Sequence, residues 1–195
     1  MGDDPEALDS RLIKALSFAL RHNPWTFGLN VSEEGFAPLD AVAASLLART
    51  PTFRTESAEE FAARIINVDT ERFEIRAGLI RARYGHSFPV HYSGPTAIPP
   101  DTLYHGTTDE TAEKIMTGGI QPMDRYYVHL TSDFEYAARV GTAKGTVRVL
   151  RVNAMIAHQA GVPLHRANSH VWLAEAVPAR FISGNDGVWQ NPSMW

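Results

Sequence analysis

Residues 92–101, with the sequence YSGPTAIPPD, interrupt the chain near its midpoint. The stretch contains three prolines and one glycine and shows no hydrophobic periodicity. Each proline fixes its own φ and removes a backbone donor, which disfavours both a helix and a central strand. Helix-like and strand-like apolar patterns occur on either side of it. We therefore predict two lobes, residues 1–91 and 102–195, joined by a linker at 92–101.

The first half begins with helical patterns. Asp4 and Pro5 form a favourable N-cap and first-turn pair, and apolar residues then recur on one helical face to about Arg21. A second helix is predicted over "PLDAVAASLLA" and a third over "AEEFAARIINV". Ser57 and Glu60 have the spacing of a capping box and should begin the third helix.

Strand patterns accompany these helices. We expect a short strand within "GLNVSEEGF" and a turn at Gly35. "RFEIRAGLIRARYG" alternates around Ala77 and Gly78, which predicts a β-hairpin. Helices followed by a two-stranded hairpin are typical of a winged-helix domain, a fold that binds nucleic acid in many proteins and only protein in others.

The second half alternates between short strands and helices. Strands are predicted within "TLYHG", "YYVHLTS", "TVRVLRVNA" and "HVWLAEAVPARFI". Helices are predicted over "TDETAEKIMTGG", which ends in two glycines, and over "SDFEYAARVG", with a capping box of Ser132 and Glu135. The fold class predicted for the chain is α+β.

The composition excludes several classes of function. The chain has no cysteine, which rules out disulfides, cysteine-based zinc sites and thiol nucleophiles. The net charge of -4 argues against a strongly basic nucleic-acid binder, although a local basic pocket needs only a few cations. The N-terminus "MGDDPEALDS" lacks an apolar signal region, and no apolar run approaches the ~20 residues of a membrane span. We expect a soluble, cytoplasmic monomer.

Common catalytic motifs are missing from the sequence. There is no G-x-S-x-G, P-loop, G-x-G-x-x-G or H-E-x-x-H pattern. The eight histidines show no convincing metal-ligand spacing, and His86 and His91 are the nearest to one. We expect chemistry without a metal.

Four short strings carry basic residues in apolar or glycine-bearing surroundings: "LRHNP", "IRARYGHS", "LYHGT" and "MDRYYVHL". Taken singly, each has an ordinary structural explanation. These are cations at a helix C-terminus for Arg21 and His22, a solvated strand edge for Arg81 and Arg83, hydrogen-bonded core histidines for His105 and His129, and an exposed turn for Arg125.

Taken together and in order, the strings resemble the tRNA 2′-phosphotransferase family, which uses NAD to remove an internal 2′-phosphate from RNA. "LSFALRHNPWTFGLNVSEEGFAPLDAV" and "IRARYGHS" are similar to the first two blocks of that family. "LYHGT", "GGIQPMDRYYVHLTSD" and "VWLAEAVPARFI" are similar to the blocks of its NAD lobe. The resemblance implies an N-terminal winged-helix-like RNA lobe and a C-terminal lobe of ADP-ribosyltransferase-like fold.

The resemblance also implies functional residues. The family's essential three arginines and one histidine fall on Arg21, His22, Arg81 and Arg125. The positions implied for NAD binding are His105, Gly106, Thr107, His129, Thr131 and Val171. No metal is implied.

The implied chemistry has two steps. The RNA 2′-phosphate first attacks the nicotinamide ribose of NAD, which is consumed as a co-substrate. The ADP-ribose 2″-hydroxyl then attacks the phosphorus, which yields 2′-OH RNA and ADP-ribose 1″,2″-cyclic phosphate. A phosphate dianion is best bound by guanidinium forks, and a neighbouring carboxylate would compete for them. This would explain why Arg21 and His22 end a helix with no acidic residue beside them in sequence.

The sequence departs from the usual family pattern at three places. Arg83 stands where the family usually has Asn or Ser, and Tyr84 stands where it usually has Gln. The segment "GTAKG" around Ala143 lacks the Arg-His pair that the family often shows, and His170 stands where glycine is common. Two alternatives stay open. One is an ADP-ribosyltransferase that modifies terminal phosphates of RNA or DNA, and the other is a non-catalytic nucleic-acid-binding protein. If the chain is an RNA 2′-phosphotransferase, the expected partner is an RNA with an internal 2′-phosphate, with tRNA among the candidates.

Overall fold

The computed structural model describes residues 5–53, 57–92, 96–142 and 147–188. The chain divides into two compact units, Met1–Ser93 and Gly94–Trp195. The boundary falls within the predicted linker, of which residues 93–95 lie outside the described residues. Helices and strands both occur in each unit, which confirms the α+β prediction. No helix among the described residues is long and apolar enough to span a membrane.

The first unit has three α-helices, two short 3-10 helices and a three-stranded antiparallel sheet of order β1-β3-β2. The helices are α1 (Pro5–Arg21), α2 (Leu39–Arg49) and α3 (Ala58–Ile66), with 3-10 turns at Pro24–Phe27 and Pro51–Phe53. The strands are β1 (Ala37–Pro38), β2 (Phe73–Arg76) and β3 (Leu79–Ala82).

The core of the first unit lies where the predicted helical faces meet. Leu12, Leu16 and Leu20 recur every four residues along α1 and are fully buried. They pack in one cluster with Phe61 of α3 and Ile80 of β3. The apolar pattern of α1 therefore fixes which side of the helix faces the sheet.

The predicted hairpin is confirmed. Ala77 and Gly78 both have positive φ, at 50° and 76°, which is the backbone of a two-residue turn that matches the strand twist. The resulting register pairs Glu74 with Arg81 and Ile75 with Ile80. The predicted capping box of the third helix is also confirmed, because Ser57 Oγ accepts from the Glu60 N–H.

Two local predictions were wrong. No strand forms within residues 28–36, because the Ser32 N–H bonds the Phe36 carbonyl inside a tight loop that closes at Gly35, φ 81°. The turn at Gly35 itself is confirmed. The capping box of Ser132 and Glu135 is wrong, because the helix begins one residue later, at Phe134, and Asp133 Oδ1 accepts from the Tyr136 N–H.

The second unit is built on a six-stranded antiparallel sheet of order β7-β8-β5-β4-β6-β9. The strands are β4 (Thr102–Thr108), β5 (Val128–Thr131), β6 (Val147–Asn153), β7 (His165–Arg166), β8 (Val171–Ala174) and β9 (Ile182–Val188). The helices are α4 (Asp109–Gly118), α5 (Phe134–Thr142) and α6 (Ala154–Gln159), with a 3-10 turn at Ala179–Phe181. The main core cluster includes Leu103, Leu130, Leu150 and Trp172 from four of these strands.

The centre of this sheet is unevenly paired. β4 pairs with β6 along all seven residues, whereas β4 and β5 share only the pair Tyr104 and Thr131 among the described residues. Because β5 ends at Thr131, the two strands separate on the side of that pair where β5 begins. The side chain of His105 reaches across, with Nδ1 2.9 Å from the His129 carbonyl oxygen.

Candidate functional site

The C-terminus of α1 is joined to the loop after β3. The Arg21 carbonyl accepts from the Ser87 N–H at 2.9 Å, and Ser87 Oγ donates to the same oxygen at 3.3 Å. Ser87 Oγ also lies 3.2 Å from His22 Nδ1. The backbone N–H and hydroxyl of Ser87 therefore set the position of both Arg21 and His22, which are adjacent in sequence.

The Arg21 side chain runs between aromatic rings. Its Cζ lies 4.8 Å from the Tyr84 ring centroid and 5.9 Å from that of Phe73. Gly85 has φ 93°, and a Cβ on it would come within 3.1 Å of Arg21 Cδ. Tyr84, one of the departures from the family pattern, thus contacts a predicted site residue through a cation–π interaction.

Arg81 is held by an acidic partner that the sequence analysis missed. Its Nε and Nη2 donate to Glu74 Oε2 at 2.9 and 2.8 Å, and its Nη1 donates to the Glu34 carbonyl at 3.2 Å. The guanidinium also lies 4.4 Å from the Phe36 ring centroid. Arg83, another departure, has its Nη1 3.6 Å from the same Glu74 oxygen. The register of the hairpin is the signal that could have found this contact, since Glu74 and Arg81 are equidistant from the turn.

His86 shows that three of the predicted residues lie near one another. The pKa of His86 is lowered to about 3, mainly by burial and then, in decreasing order, by the positive charges of Arg21, Arg81 and His22. The side chain is 6% exposed, and Nε2 has no hydrogen-bond partner among the described residues. Because three cationic side chains act on one imidazole, this part of the first unit is a region of concentrated positive charge.

The fourth member of the predicted quartet, Arg125, belongs to the second unit. It is exposed in the loop between α4 and β5, where its N–H donates to the Pro122 carbonyl at 3.1 Å. Arg125 therefore lies in an exposed turn, which was its ordinary structural explanation, and its predicted role in catalysis stays a prediction. The first unit brings Arg21, His22 and Arg81 together, and Arg125 is presented by a different unit.

The residues predicted to bind NAD fall on three neighbouring strands of the second unit. His105, Gly106 and Thr107 lie on β4, His129 and Thr131 on β5, and Val171 on β8. They surround the place where β4 and β5 separate. Thr131 is buried opposite Val171, and its Oγ1 accepts from the Asp133 N–H at 3.1 Å, which gives Thr131 a structural role.

An open cavity adjoins the ends of these strands. It has a volume of about 260 Å³ and is lined by Pro100, Ser132, Arg166, Ser169 and Trp172. His170, a departure from the family pattern, packs its ring edge to face with Tyr136 at 4.8 Å. Ala143, the remaining departure, lies outside the described residues. Within the described ranges, no group of histidine and acidic side chains has the arrangement of a metal site.

Comparison with known proteins places this chain in a class. Residues 7–176 match the model of the family described as RNA 2′-phosphotransferase, Tpt1 / KptA family. The chain is 38% identical over 174 residues to the "Probable RNA 2′-phosphotransferase" of Acetivibrio thermocellus, covering 89% of this chain and 95% of the relative. It is likewise 38% identical to proteins of the same name from Streptomyces coelicolor, over 88% of this chain and 93% of the relative, and Pyrococcus furiosus, over 89% and 93%.

These matches define a transferase. The chain belongs to the RNA 2′-phosphotransferase, Tpt1 / KptA family, which confirms the resemblance seen in the sequence. The activity of this family is the transfer of a 2′-phosphate from RNA.

Proposed function

We propose that this enzyme removes an internal 2′-phosphate from RNA in an NAD-dependent reaction, releasing nicotinamide and ADP-ribose 1″,2″-cyclic phosphate. The observation that carries the proposal is the concentration of Arg21, His22 and Arg81 around His86 in a member of this family. A 2′-phosphate is already an anion, so its attack on the nicotinamide ribose requires no general base. The protein has to hold two anionic substrates in line, which is a task for fixed cations.

The fold supports a division of labour between the units. Three helices and an antiparallel hairpin in the first unit fit a winged-helix-like RNA lobe. The second unit, with its single pairing between β4 and β5, fits an ADP-ribosyltransferase-like lobe in which the nicotinamide end of NAD enters where the strands separate. We assign 1–91 to the first lobe and 102–195 to the second.

Arg21 and Arg81 are the proposed phosphate ligands of the first unit. The Tyr84 and Phe73 rings hold the Arg21 side chain in one direction. Arg81 donates three hydrogen bonds of the five that a guanidinium can make, which leaves two N–H groups without a hydrogen-bond partner among the described residues. Glu74 therefore orients Arg81 and still leaves donors for a phosphate.

His22 is the proposed proton donor. The second step breaks the bond between phosphorus and the RNA 2′-oxygen, and that oxygen has to gain a proton as it leaves. An imidazole can donate one near neutral pH. The exposed position of His22, with Nδ1 near Ser87 Oγ, suits this role. Arg125 would stabilise the charge that builds on the phosphoryl oxygens.

The second unit would bind NAD through the strands already described. His105, oriented by its contact with the His129 carbonyl, is proposed to hydrogen-bond the nicotinamide ribose. Gly106 and Thr107 follow it on β4, and the Gly106 backbone is proposed to hold the nicotinamide amide. His129, Thr131 and Val171 complete the proposed NAD site, and the adjoining cavity offers further room.

The test supplies NAD and an RNA oligonucleotide with one internal 2′-phosphate, and measures nicotinamide release and RNA products. Formation of 2′-OH RNA supports the proposal. A stable ADP-ribosylated adduct on a terminal phosphate supports the alternative transferase, and the lack of any NAD consumption would refute both. Arg125→Ala and His22→Ala should accumulate the 2′-phospho-ADP-ribosylated RNA, because the second step stalls.

Arg49→Ala is a matched control for Arg21→Ala. Arg49 also lies in the last turn of a helix and over a phenylalanine ring, 5.9 Å from the Phe27 centroid. If Arg21 were only a favourable cation at a helix end, both variants would lose a little stability and no activity. We expect turnover to fall about 100-fold or more in Arg21→Ala alone. The expected monomeric state can be measured on the same preparation by light scattering.

A further inference from the structure

Trp25 is an exposed aromatic residue in a rigid setting. Tryptophan is usually largely buried, yet this side chain is 59% exposed. It belongs to the 3-10 turn Pro24–Phe27, three residues after His22. The turn is closed by the Gly28 N–H, which donates to the Trp25 carbonyl at 2.9 Å, and by Thr26 Oγ1, which donates to Asn23 Oδ1 at 2.7 Å. The indole is therefore presented to solvent from a fixed backbone.

A series of ring contacts links this indole to the cationic cluster. The Trp25 and Phe88 ring centroids are 5.3 Å apart, edge to face, and those of Phe88 and His86 are 5.4 Å apart. His86 is the imidazole that Arg21, Arg81 and His22 surround electrostatically. One part of the indole is thus anchored on a buried ring, while most of its surface remains open beside the proposed phosphate site.

A second exposed ring lies near His22. Phe18 precedes His22 by one turn of α1, is 49% exposed, and has its ring centroid 6.4 Å from that of His22. Exposed apolar side chains that occur singly are ordinary on protein surfaces. Two exposed aromatic residues that precede and follow a proposed catalytic histidine, next to concentrated positive charge, form instead the combination by which proteins bind single-stranded RNA.

We propose that the indole of Trp25 stacks on a nucleobase of the RNA adjacent to the 2′-phosphorylated nucleotide. This inference rests on the proposed function, because it takes the 2′-phosphate to lie among Arg21, His22 and Arg81. When the 2′-phosphate of an RNA strand is bound there, the neighbouring bases lie one nucleotide away from the bound phosphate. The positive charge of the cluster favours RNA over an apolar protein segment as the occupant. The consequence is a preference for RNA over a free 2′-phosphorylated nucleotide.

The test measures the affinity of the whole 195-residue chain for a fluorescently labelled, 2′-phosphorylated oligonucleotide without NAD. Loss of one stacked base corresponds to a reduction in affinity of about 5- to 150-fold, which we expect for Trp25→Ala. Trp25→Phe keeps a stacking face and should retain most of the affinity. Ile66→Ala is the control, because Ile66 is 49% exposed on α3 and should leave RNA affinity unchanged when truncated.

A second measurement changes the RNA instead of the protein. Oligonucleotides with an abasic site on either side of the 2′-phosphate should bind the wild type more weakly at one of the two positions. At that position Trp25→Ala should cause no further loss. The wild-type half of this measurement stays informative even if a variant folds poorly, because it uses the unaltered protein.

The outcomes separate the inference from the function. If the wild type turns over the 2′-phosphorylated RNA while Trp25→Ala and the abasic substrates bind with full affinity, the inference is overturned and the function stands. If the wild type neither binds nor turns over this RNA, both are overturned. If Trp25→Ala alters only the mass of the species in solution, Trp25 belongs to a contact between copies of the chain, and the inference is also overturned.

Discussion

Acidification should destabilise this protein through His86. The buried imidazole has a pKa of about 3 in the folded chain, against 6.5 in an unperturbed histidine. Burial is the main cause, and the neighbouring charges of Arg21, Arg81 and His22 add to it. Unfolding exposes the ring to water, where it binds a proton near pH 6.5. The unfolded chain thus binds more protons than the folded chain between these two values, and the free energy of unfolding must fall as the pH is lowered through that window.

The expected magnitude follows from the difference in proton binding. Each pH unit within the window lowers the free energy of unfolding by up to about 1.4 kcal/mol. Because the unfolded imidazole is only half protonated at pH 6.5, the loss between pH 6.5 and pH 5 is about 1.7 kcal/mol from this residue. Well above pH 7 the ring is neutral in both states and contributes no pH dependence. Against a typical total of about 5–15 kcal/mol, the loss is large enough to measure.

The assay is urea denaturation at a series of pH values from 7.5 to about 5. His86→Phe keeps a ring of similar size beside Phe88, and His86→Gln keeps a polar side chain. The two variants should differ from each other in stability, since their packing differs. In both variants the free energy of unfolding should nevertheless depend less steeply on pH, because the contribution of His86 is absent. If the free energy of unfolding of both variants falls with pH as steeply as that of the wild type, the proposed burial of a neutral histidine among cations is refuted.

Two further predictions concern the side chains around the same cluster. Gly85→Ala and Gly28→Ala both place a Cβ at positive φ and should each cost about 1–2 kcal/mol of stability. Only the Cβ at position 85 would contact Arg21, so only Gly85→Ala should also weaken the binding of 2′-phosphorylated RNA. Equal binding by both variants would contradict the contact between Gly85 and Arg21. Glu74→Gln removes the charge that accepts from Arg81 and should lower the free energy of unfolding by about 1–3 kcal/mol in urea titrations; an unchanged value would show that the ion pair is not formed in solution.

Local rules were sufficient for most of the secondary structure. The helix that ends at Arg21, the box of Ser57 and Glu60, and the turn at Ala77 and Gly78 were all predictable. Each depends on a few neighbouring residues whose backbone preferences agree with the fold. The predictions that failed lie where contacts from elsewhere decide. Residues 28–36 form a loop instead of a strand, with the His91 N–H donating to the Glu33 carbonyl and Arg81 Nη1 to that of Glu34.

The candidate site divides in the same way. Residue types and motif order were enough to nominate Arg21, His22, Arg81 and Arg125. The register of the predicted hairpin could have shown that Glu74 would orient Arg81, whereas nothing along the chain indicated that His86 would remain neutral.

The amino-acid sequence by itself determined the two-part organisation, the helices, the hairpin and the membership of the family, because these depend on local patterns and on motif order. Only the tertiary structure decided the electrostatics of the cluster. The pKa of a side chain depends on burial and on charges that lie close in space, and α1, β3 and the loop after β3 bring such charges together from residues some 60 positions apart in sequence. The exposure of Trp25 also depends on tertiary packing, because the Phe88 ring contacts one part of the indole and leaves most of it exposed.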